Sequence, residues 1–265
     1  MKNLRALLAA MFTTALAIAA APRPPNIVFI FSDDHAYQAI SAYRDPRKLI
    51  ETPNIDRIGR EGMLFQRCMV PNSICGPSRA CVLTGKYNHL NGYFNNSNCK
   101  FDGSQPTFPK MLQAAGYQTA IVGKWHLETD PTGFDYWNIL PGQGVYYNPP
   151  MIEMGKKLSH EGYVTDIIAD ESLKWLKGRD KSKPFLLMCQ HKAPHRPWEP
   201  PVRFLNHDQG RIYEEPATLF DDYENRGFAV RDQDMTLEKT MNRVDVKLTA
   251  PGNLSPEQRK EWDAY

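Results

Sequence analysis

The feature that most constrains this chain is a recurring unit: a short, unbroken apolar run that follows Pro or Gly and ends in charged residues. Asn26-Ile27-Val28-Phe29-Ile30-Phe31 follows Pro24-Pro25 and runs into Ser32-Asp33-Asp34. A continuous run of β-branched and aromatic residues, without alternation, reads as a fully buried strand of a parallel sheet. Gln118-Thr119-Ala120-Ile121-Val122 repeats the pattern and ends in Gly123-Lys124-Trp125-His126. Phe185-Leu186-Leu187-Met188 opens after Pro184 and is followed by His191 to His195. Helical segments lie between these runs. One starts at Pro53 after Thr52 and stops at Gly62, before a further apolar run, Met63-Leu64-Phe65. Another covers Phe108 to Ala115 and closes at Gly116, and a third places Val164, Ile167, Ile168 and Leu176 near helical spacing before Gly178. Strands alternating with helices predict an α/β fold whose mostly parallel sheet is covered on both faces and collects ligands at its carboxyl ends. From about Pro200 the chain is polar and proline-interrupted, with a short helix predicted over Pro256 to Tyr265.

The N-terminus reads as a targeting segment. Lys2 and Arg5 precede an apolar run from Ala6 to Ile18, and Ala19-Ala20-Ala21 supplies small residues for cleavage. Residues 1–21 are therefore expected to be a signal peptide, and the protein to be exported to the periplasm or the extracellular space, free of the membrane after cleavage. A formal net charge of +2 over 265 residues gives no reason to expect nucleic acid or a lipid surface as partner. Any recognition of an anion must be local. Five cysteines, Cys68, Cys75, Cys81, Cys99 and Cys189, are an odd number for an oxidising compartment, so one is left over for other chemistry; the spacing does not decide whether the rest pair.

Cys75-Gly76-Pro77-Ser78-Arg79, with Thr84-Gly85 beyond it, resembles the C-x-P-S-R-x-x-x-x-T-G signature of type I sulfatases, and Asp33-Asp34 and Gly123-Lys124-Trp125-His126 occur in the order that family shows. The resemblance runs from about residue 25 to 265, which would be the N-terminal part of a sulfatase catalytic domain. It implies an alkaline-phosphatase-like sandwich with a mostly parallel central sheet flanked by helices, here incomplete. It also implies that a maturation enzyme oxidises Cys75 to formylglycine, the nucleophile. Pro77 would begin a helix just after that residue, and its free N–H groups would favour a bound sulfate.

Asp33 and Asp34 are hard oxygen donors that suit Ca²⁺, or Mg²⁺, although two Asp after a strand also suit a turn or a helix cap. By resemblance they share the ion with residue 75. Arg79 would reach back one turn to the nucleophile or its metal. Lys124 and His126 alternate along an extended segment, so both would face one sulfate. His126 is the candidate for the nucleophile's proton and His195, in Pro194-His195-Arg196-Pro197, for the leaving group; His35 and His191 are candidate pocket residues only.

Gly133-Phe134-Asp135-Tyr136-Trp137, Tyr146-Tyr147-Asn148, Tyr163-Val164-Thr165-Asp166 and Ala193-Pro194-His195-Arg196-Pro197-Trp198 resemble the N-acetylglucosamine-6-sulfatase and mucin-desulfating branch. The implied substrate is a sulfated carbohydrate. The aromatics suit either sugar faces or the core. The family completes its metal site with a second Asp, followed by Asn, Gln or His and then Gly, after a later apolar strand, and adds a downstream lysine. This chain is expected to stop before both. Asp208-Gln209-Gly210 spells the first pattern but follows no apolar strand, so it reads as a decoy. Two other readings stay open: an inactive fragment or sulfated-glycan binder, and a phosphonate or phosphate ester hydrolase built on the same nucleophile.

Overall fold

The computed structural model describes residues 23–265, and the expected signal segment lies outside them. Six strands form one sheet in the order β1-β6-β2-β3-β4-β5. They are β1 (Ile27–Phe31), β2 (Gln118–Lys124), β3 (Tyr136–Leu140), β4 (Pro150–Glu153), β5 (Lys156–Ser159) and β6 (Phe185–Gln190). The pairs β1–β6, β6–β2 and β2–β3 are parallel, while β3–β4 and β4–β5 are antiparallel. Putting β6 between β1 and β2 brings the carboxyl ends of the three sequence-predicted strands side by side, with their charged residues at one end of the sheet.

The helices are α1 (Pro53–Glu61), α2 (Cys75–Thr84), α3 (Asn88–Asn91), α4 (Phe108–Ala114), α5 (Val164–Gly178), α6 (Phe228–Arg231), α7 (Leu237–Thr240) and α8 (Pro256–Ala264). Pro opens α1 and α8, where its missing N–H costs no hydrogen bond. Ser255 and Gln258 close a capping box on α8. One face of the sheet packs Ala120, Val122, Leu187 and Cys189 against Val164, Ile167 and Ile168 of α5, with Tyr146, Tyr147 and Trp262 extending that core. The opposite face packs Ile121, Leu186 and Met188 against Ala80 and Leu83 of α2 and Phe108 and Leu112 of α4. Alternate residues of one strand thus serve opposite cores, which is why these strands read as continuous apolar runs. Among the described residues no helix is long and apolar enough to cross a membrane.

Several expectations need correction. β1 is an edge strand rather than a fully buried one: Ile27 and Phe29 pack into the α2/α4 layer, but Val28 and Ile30 are 51% and 59% exposed because α5 lies over β6 and β2 and stops short of β1. The apolar run Met63-Leu64-Phe65 is not core: Met63 and Phe65 lie on the surface. Helix α2 starts at Cys75 rather than at Pro77, with Ile74 as its cap and the Ser78 N–H donating to the Ile74 carbonyl at 2.8 Å. Tyr146 and Tyr147 are 1% exposed and Trp137 is 7% exposed, so these aromatics are core rather than a platform for sugar. Asp208 carries its decoy reading to the surface, where its carboxylate accepts from the Tyr213 hydroxyl at 2.8 Å.

Gly123 fixes how β2 delivers the residues after it. Its φ of +109° is open to glycine, and a Cβ there would stand 1.9 Å from the Gln190 carbonyl oxygen of β6. Gly123→Ala is expected to destabilise the fold by about 3 kcal/mol or more, from backbone strain and overpacking together, as read from urea unfolding.

Candidate active site

Cys75 is half-buried at the first position of α2, where backbone N–H groups lack helical partners and the helix dipole favours negative charge. Two side-chain amides face its sulfur. Asn96 Nδ2 donates at 3.0 Å, and Gln143 Nε2 stands 3.9 Å away.

Behind Cys75 lies a buried charge cluster built from three elements. Asp33, 5% exposed just past the end of β1, is bonded through Oδ2 to the ammonium of Lys124, the last residue of β2. Arg79, one turn into α2, lies 3.6 Å from Asp33 Oδ1 and donates to the Lys124 carbonyl at 2.7 Å and to the Gln190 side chain of β6. Its guanidinium also covers the Phe31 ring at 5.2 Å. Arg79 therefore faces Asp33, one of the two carboxylates that the resemblance assigns to a metal ion. Burial pushes the pKa of both Lys124 and Arg79 down, and Asp33 pulls each back up.

Lys124 and His126 are both buried, at 0% and 7% exposure, but not through alternation along a strand. β2 ends at Lys124 and His126 takes φ +54°, so a turn, rather than an extended segment, sets the ring. Burial is the main cause of a lowered His126 pKa, and Lys124 and Arg79 add to it, so the imidazole is neutral at pH 7. Its Nδ1 is buried without a partner. His195 enters from the loop after β6, which is tied to β1 by the Asp33 N–H to the Ala193 carbonyl at 3.1 Å and the His191 N–H to the Phe31 carbonyl at 2.8 Å. Its Nε2 stands 3.6 Å from Asp34 Oδ2, and the Tyr146 hydroxyl donates to its carbonyl at 2.5 Å. The other two candidate histidines have local partners: His35 Nε2 donates to the Ala39 carbonyl at 3.1 Å, and His191 Nε2 faces Cys189 Sγ at 3.5 Å.

Three residues here escaped the sequence reading. Gln143, in the turn after β3, accepts from Lys124 Nζ at 2.6 Å and through its carbonyl from Lys192 Nζ at 3.3 Å. Lys192 is 3% exposed, with its amine 4.9 Å from the centre of the Tyr146 ring. Asn96 comes from the loop after α3. Lys192 had a usable signal, a lysine three residues before His195 at a strand end. Asn96 and Gln143 are single amides in loops, with no periodic or motif signal.

A cavity of about 350 Å³ is lined by Asp33, Asp34, Cys75, Ser78 and Arg79. The carboxylates of Asp33 and Asp34 are hard oxygen donors that fit part of the coordination shell of a divalent cation, which takes six or more oxygens when it is Ca²⁺, whereas the Cys75 thiol is a soft donor that does not suit such an ion. Among the described residues no three His, Cys, Asp or Glu side chains converge as a full ligand set. All five cysteines are free thiols in the structure.

A family model described as Sulfatase matches residues 25–248. The chain belongs to the sulfatase family. Its relatives include the N-acetylglucosamine-6-O-sulfatase of Bacteroides thetaiotaomicron, 53% identical over 228 residues that cover 84% of this chain and 40% of that protein. The human N-acetylglucosamine-6-sulfatase is 35% identical over 205 residues, 68% of this chain and 36% of that protein. A solved structure of BT4656 in complex with its substrate D-glucosamine-2-N,6-O-disulfate superposes with a TM-score of 0.87 at 47% identity, covering 91% of this chain and 52% of that one. The chain thus spans about two-fifths of the length of the first of these relatives. Sulfatases generally use a formylglycine and a divalent metal.

Lys192 offers a pH signature. Burial, with Lys124 adding to it, lowers its pKa to about 8, against a model-peptide value near 10.4. The unfolded chain then binds the extra proton between those values, so this group's cost to the fold is full below about pH 8 and fades as pH rises toward 10. The stability difference between Lys192→Met and the wild type is expected to favour the variant at pH 7 and to shrink by pH 9.5, as read from paired urea midpoints.

Proposed function

We propose that this protein is a sulfuric ester hydrolase that removes sulfate from a sulfated sugar, with 6-O-sulfated N-acetylglucosamine of a glycosaminoglycan or mucin glycan as the substrate class. The observation that carries this reading is the surplus of basic groups behind Cys75. Lys124 and Arg79 share the one buried carboxylate of Asp33, and Lys192, buried nearby, feels Asp33, Glu199 and Asp34, in a setting too buried for solvent to screen the three basic groups well. Such a site favours an anion. The N-acetylglucosamine-6-sulfatase relatives support the choice of sugar.

Formylglycine at residue 75, as the hydrated aldehyde, supplies an oxygen that attacks sulfur and a second hydroxyl whose deprotonation expels sulfate, so no water needs to attack sulfur. The rest falls to the chain's own side chains. Lys124 and Arg79 offer preorganised positive charge to the sulfate oxygens as the ester bond breaks. Neutral His126 takes a proton from the nucleophile, and His195 gives one to the departing sugar oxygen. Asp33 and Asp34, with the oxygen at residue 75, would hold the divalent cation. Their hard oxygens suit Ca²⁺, or Mg²⁺, which would lower the nucleophile's pKa and draw the sulfate in. A maturation enzyme that converts Cys75 is the protein partner this chemistry requires. Export to the periplasm or extracellular space, on the evidence of residues 1–21, would give access to polymeric glycans.

Expression in a host carrying a formylglycine-generating enzyme, followed by mass spectrometry of the peptide containing Cys75, is expected to show the thiol converted to the aldehyde; an unchanged thiol would overturn the nucleophile assignment. Sulfate release from a 6-sulfated glucosamine in the presence of Ca²⁺ is expected to fall about 10²–10⁴-fold in His126→Ala and to vanish in Cys75→Ala. Saturable sugar binding with no sulfate release would instead mark a glycan binder, and faster cleavage of a phosphate ester would mark a phosphoesterase.

A further inference from the structure

Asn96 is the best-placed group near the nucleophile that the mechanism above does not use. Its Oδ1 accepts from the Gly76 N–H at 3.2 Å, the second residue of α2, and this fixes which way the amide points. Its Nδ2 then donates to Cys75 Sγ at 3.0 Å, well inside the range for a hydrogen bond to sulfur. The amide is held from a second side as well. A Cβ at residue 76 would stand 2.5 Å from Asn96 Oδ1 and 2.7 Å from Cε1 of the buried Tyr93, so only glycine lets the loop carrying Tyr93 and Asn96 close over the start of α2.

We propose that Asn96 is a further catalytic residue, donating a hydrogen bond to the reacting heteroatom on Cβ of residue 75, the sulfur before conversion and an oxygen after it. An amide that spends its carbonyl oxygen on Gly76 is a donor only at the nucleophile. It is not a base, so it does not compete with His126 for the proton. What it supplies is a preorganised N–H that stabilises negative charge on the attacking atom and holds that atom in one direction, at the positive end of the helix dipole. Donation from a side chain fixed by its own second hydrogen bond costs little reorganisation when charge develops.

This inference rests on residue 75 being the nucleophile, and the experiment separates the two. The decisive variant is Asn96→Asp, which keeps an oxygen for the Gly76 N–H and so keeps the cap, but replaces the donor with a second acceptor. In the unconverted protein, alkylation of Cys75 by iodoacetamide at fixed pH, followed by peptide mass spectrometry, is expected to be about tenfold slower in Asn96→Asp than in the wild type, with thermal unfolding unchanged or raised. Asn96→Ala is expected to slow alkylation less, because it removes the donor without adding charge. In converted protein the same Asp variant is expected to lose kcat with little change in KM. Equal alkylation rates in wild type and Asn96→Asp at equal stability would overturn the role of Asn96, even if Cys75 is converted. An unconverted Cys75 in a maturation-competent host would sink the formylglycine reading while leaving the alkylation comparison able to decide on Asn96. Gly76→Ala, which pushes the amide aside, is expected to follow Asn96→Ala; wild-type alkylation in that variant would also count against the proposal.

Discussion

The Asp33 carboxylate, buried between the Lys124 ammonium and the Arg79 guanidinium, is the interaction on which the rest of the structure depends. One carboxylate does not satisfy two basic groups at this depth, and taking all three from water costs several kcal/mol per ion before any attraction is counted. The cluster is thus poor as a device for stability. It persists because β1, β2 and α2 each bring one member from a distant part of the sequence, with Gln190 of β6 filling the gap between strands and accepting from Arg79. Removing Asp33 would leave two basic groups facing each other, whereas adding an anion in front of them would relieve both. The same imbalance that weakens the fold is what a bound anion can satisfy.

The order of strands makes this convergence possible. β6 lies between β1 and β2, so residues that are far apart in sequence, at 33, 124 and 190, meet at one end of a sheet through parallel pairing and the Asp33 N–H bond to the Ala193 carbonyl. Only the glycine at 123 allows the backbone to leave β2 where it does, because the Gln190 carbonyl occupies the space any Cβ would take. From there the chain turns at once to place the His126 ring beside Lys124, whose charge, together with burial, keeps that imidazole neutral. A sheet feature therefore bears on how readily the His126 ring takes up a proton.

How much of this was legible in the sequence depends on whether a residue's role is local. The core parallel strands were visible because each is a short apolar run cut off by Pro or Gly, and the charged ends of those runs marked Asp33, Lys124 and His195. The β3–β5 extension was not. Lys156-Lys157-Leu158-Ser159 has one apolar residue and is held by pairing with β4, not by its own pattern. β1 looked buried on both faces because its composition reports what could be covered, whereas α5 stops short of it. Tyr146 and Tyr147 stayed open between ligand platform and core because aromatic pairs serve cores and sugars equally well in one dimension. Burial decides between them, and the Tyr147 hydroxyl accepting from the Trp262 indole at 3.1 Å shows a polar tip satisfied inside the core.

Gln143 shows the limit of motif reasoning most clearly. Nothing in Pro141-Gly142-Gln143-Gly144 marks it, yet one residue accepts from Lys124 through its side chain and from Lys192 through its backbone, and lies near Cys75. Glycines on both sides, each with positive φ, let the turn present backbone and side chain to the same site. Without that turn the two lysines would have no common acceptor, and like charges at this spacing would separate at the expense of packing around Tyr146, whose ring lies against Lys192 and whose hydroxyl holds the His195 backbone. The amide at 143 thus links the position of Lys192 to that of His195, through contacts that no short sequence window contains.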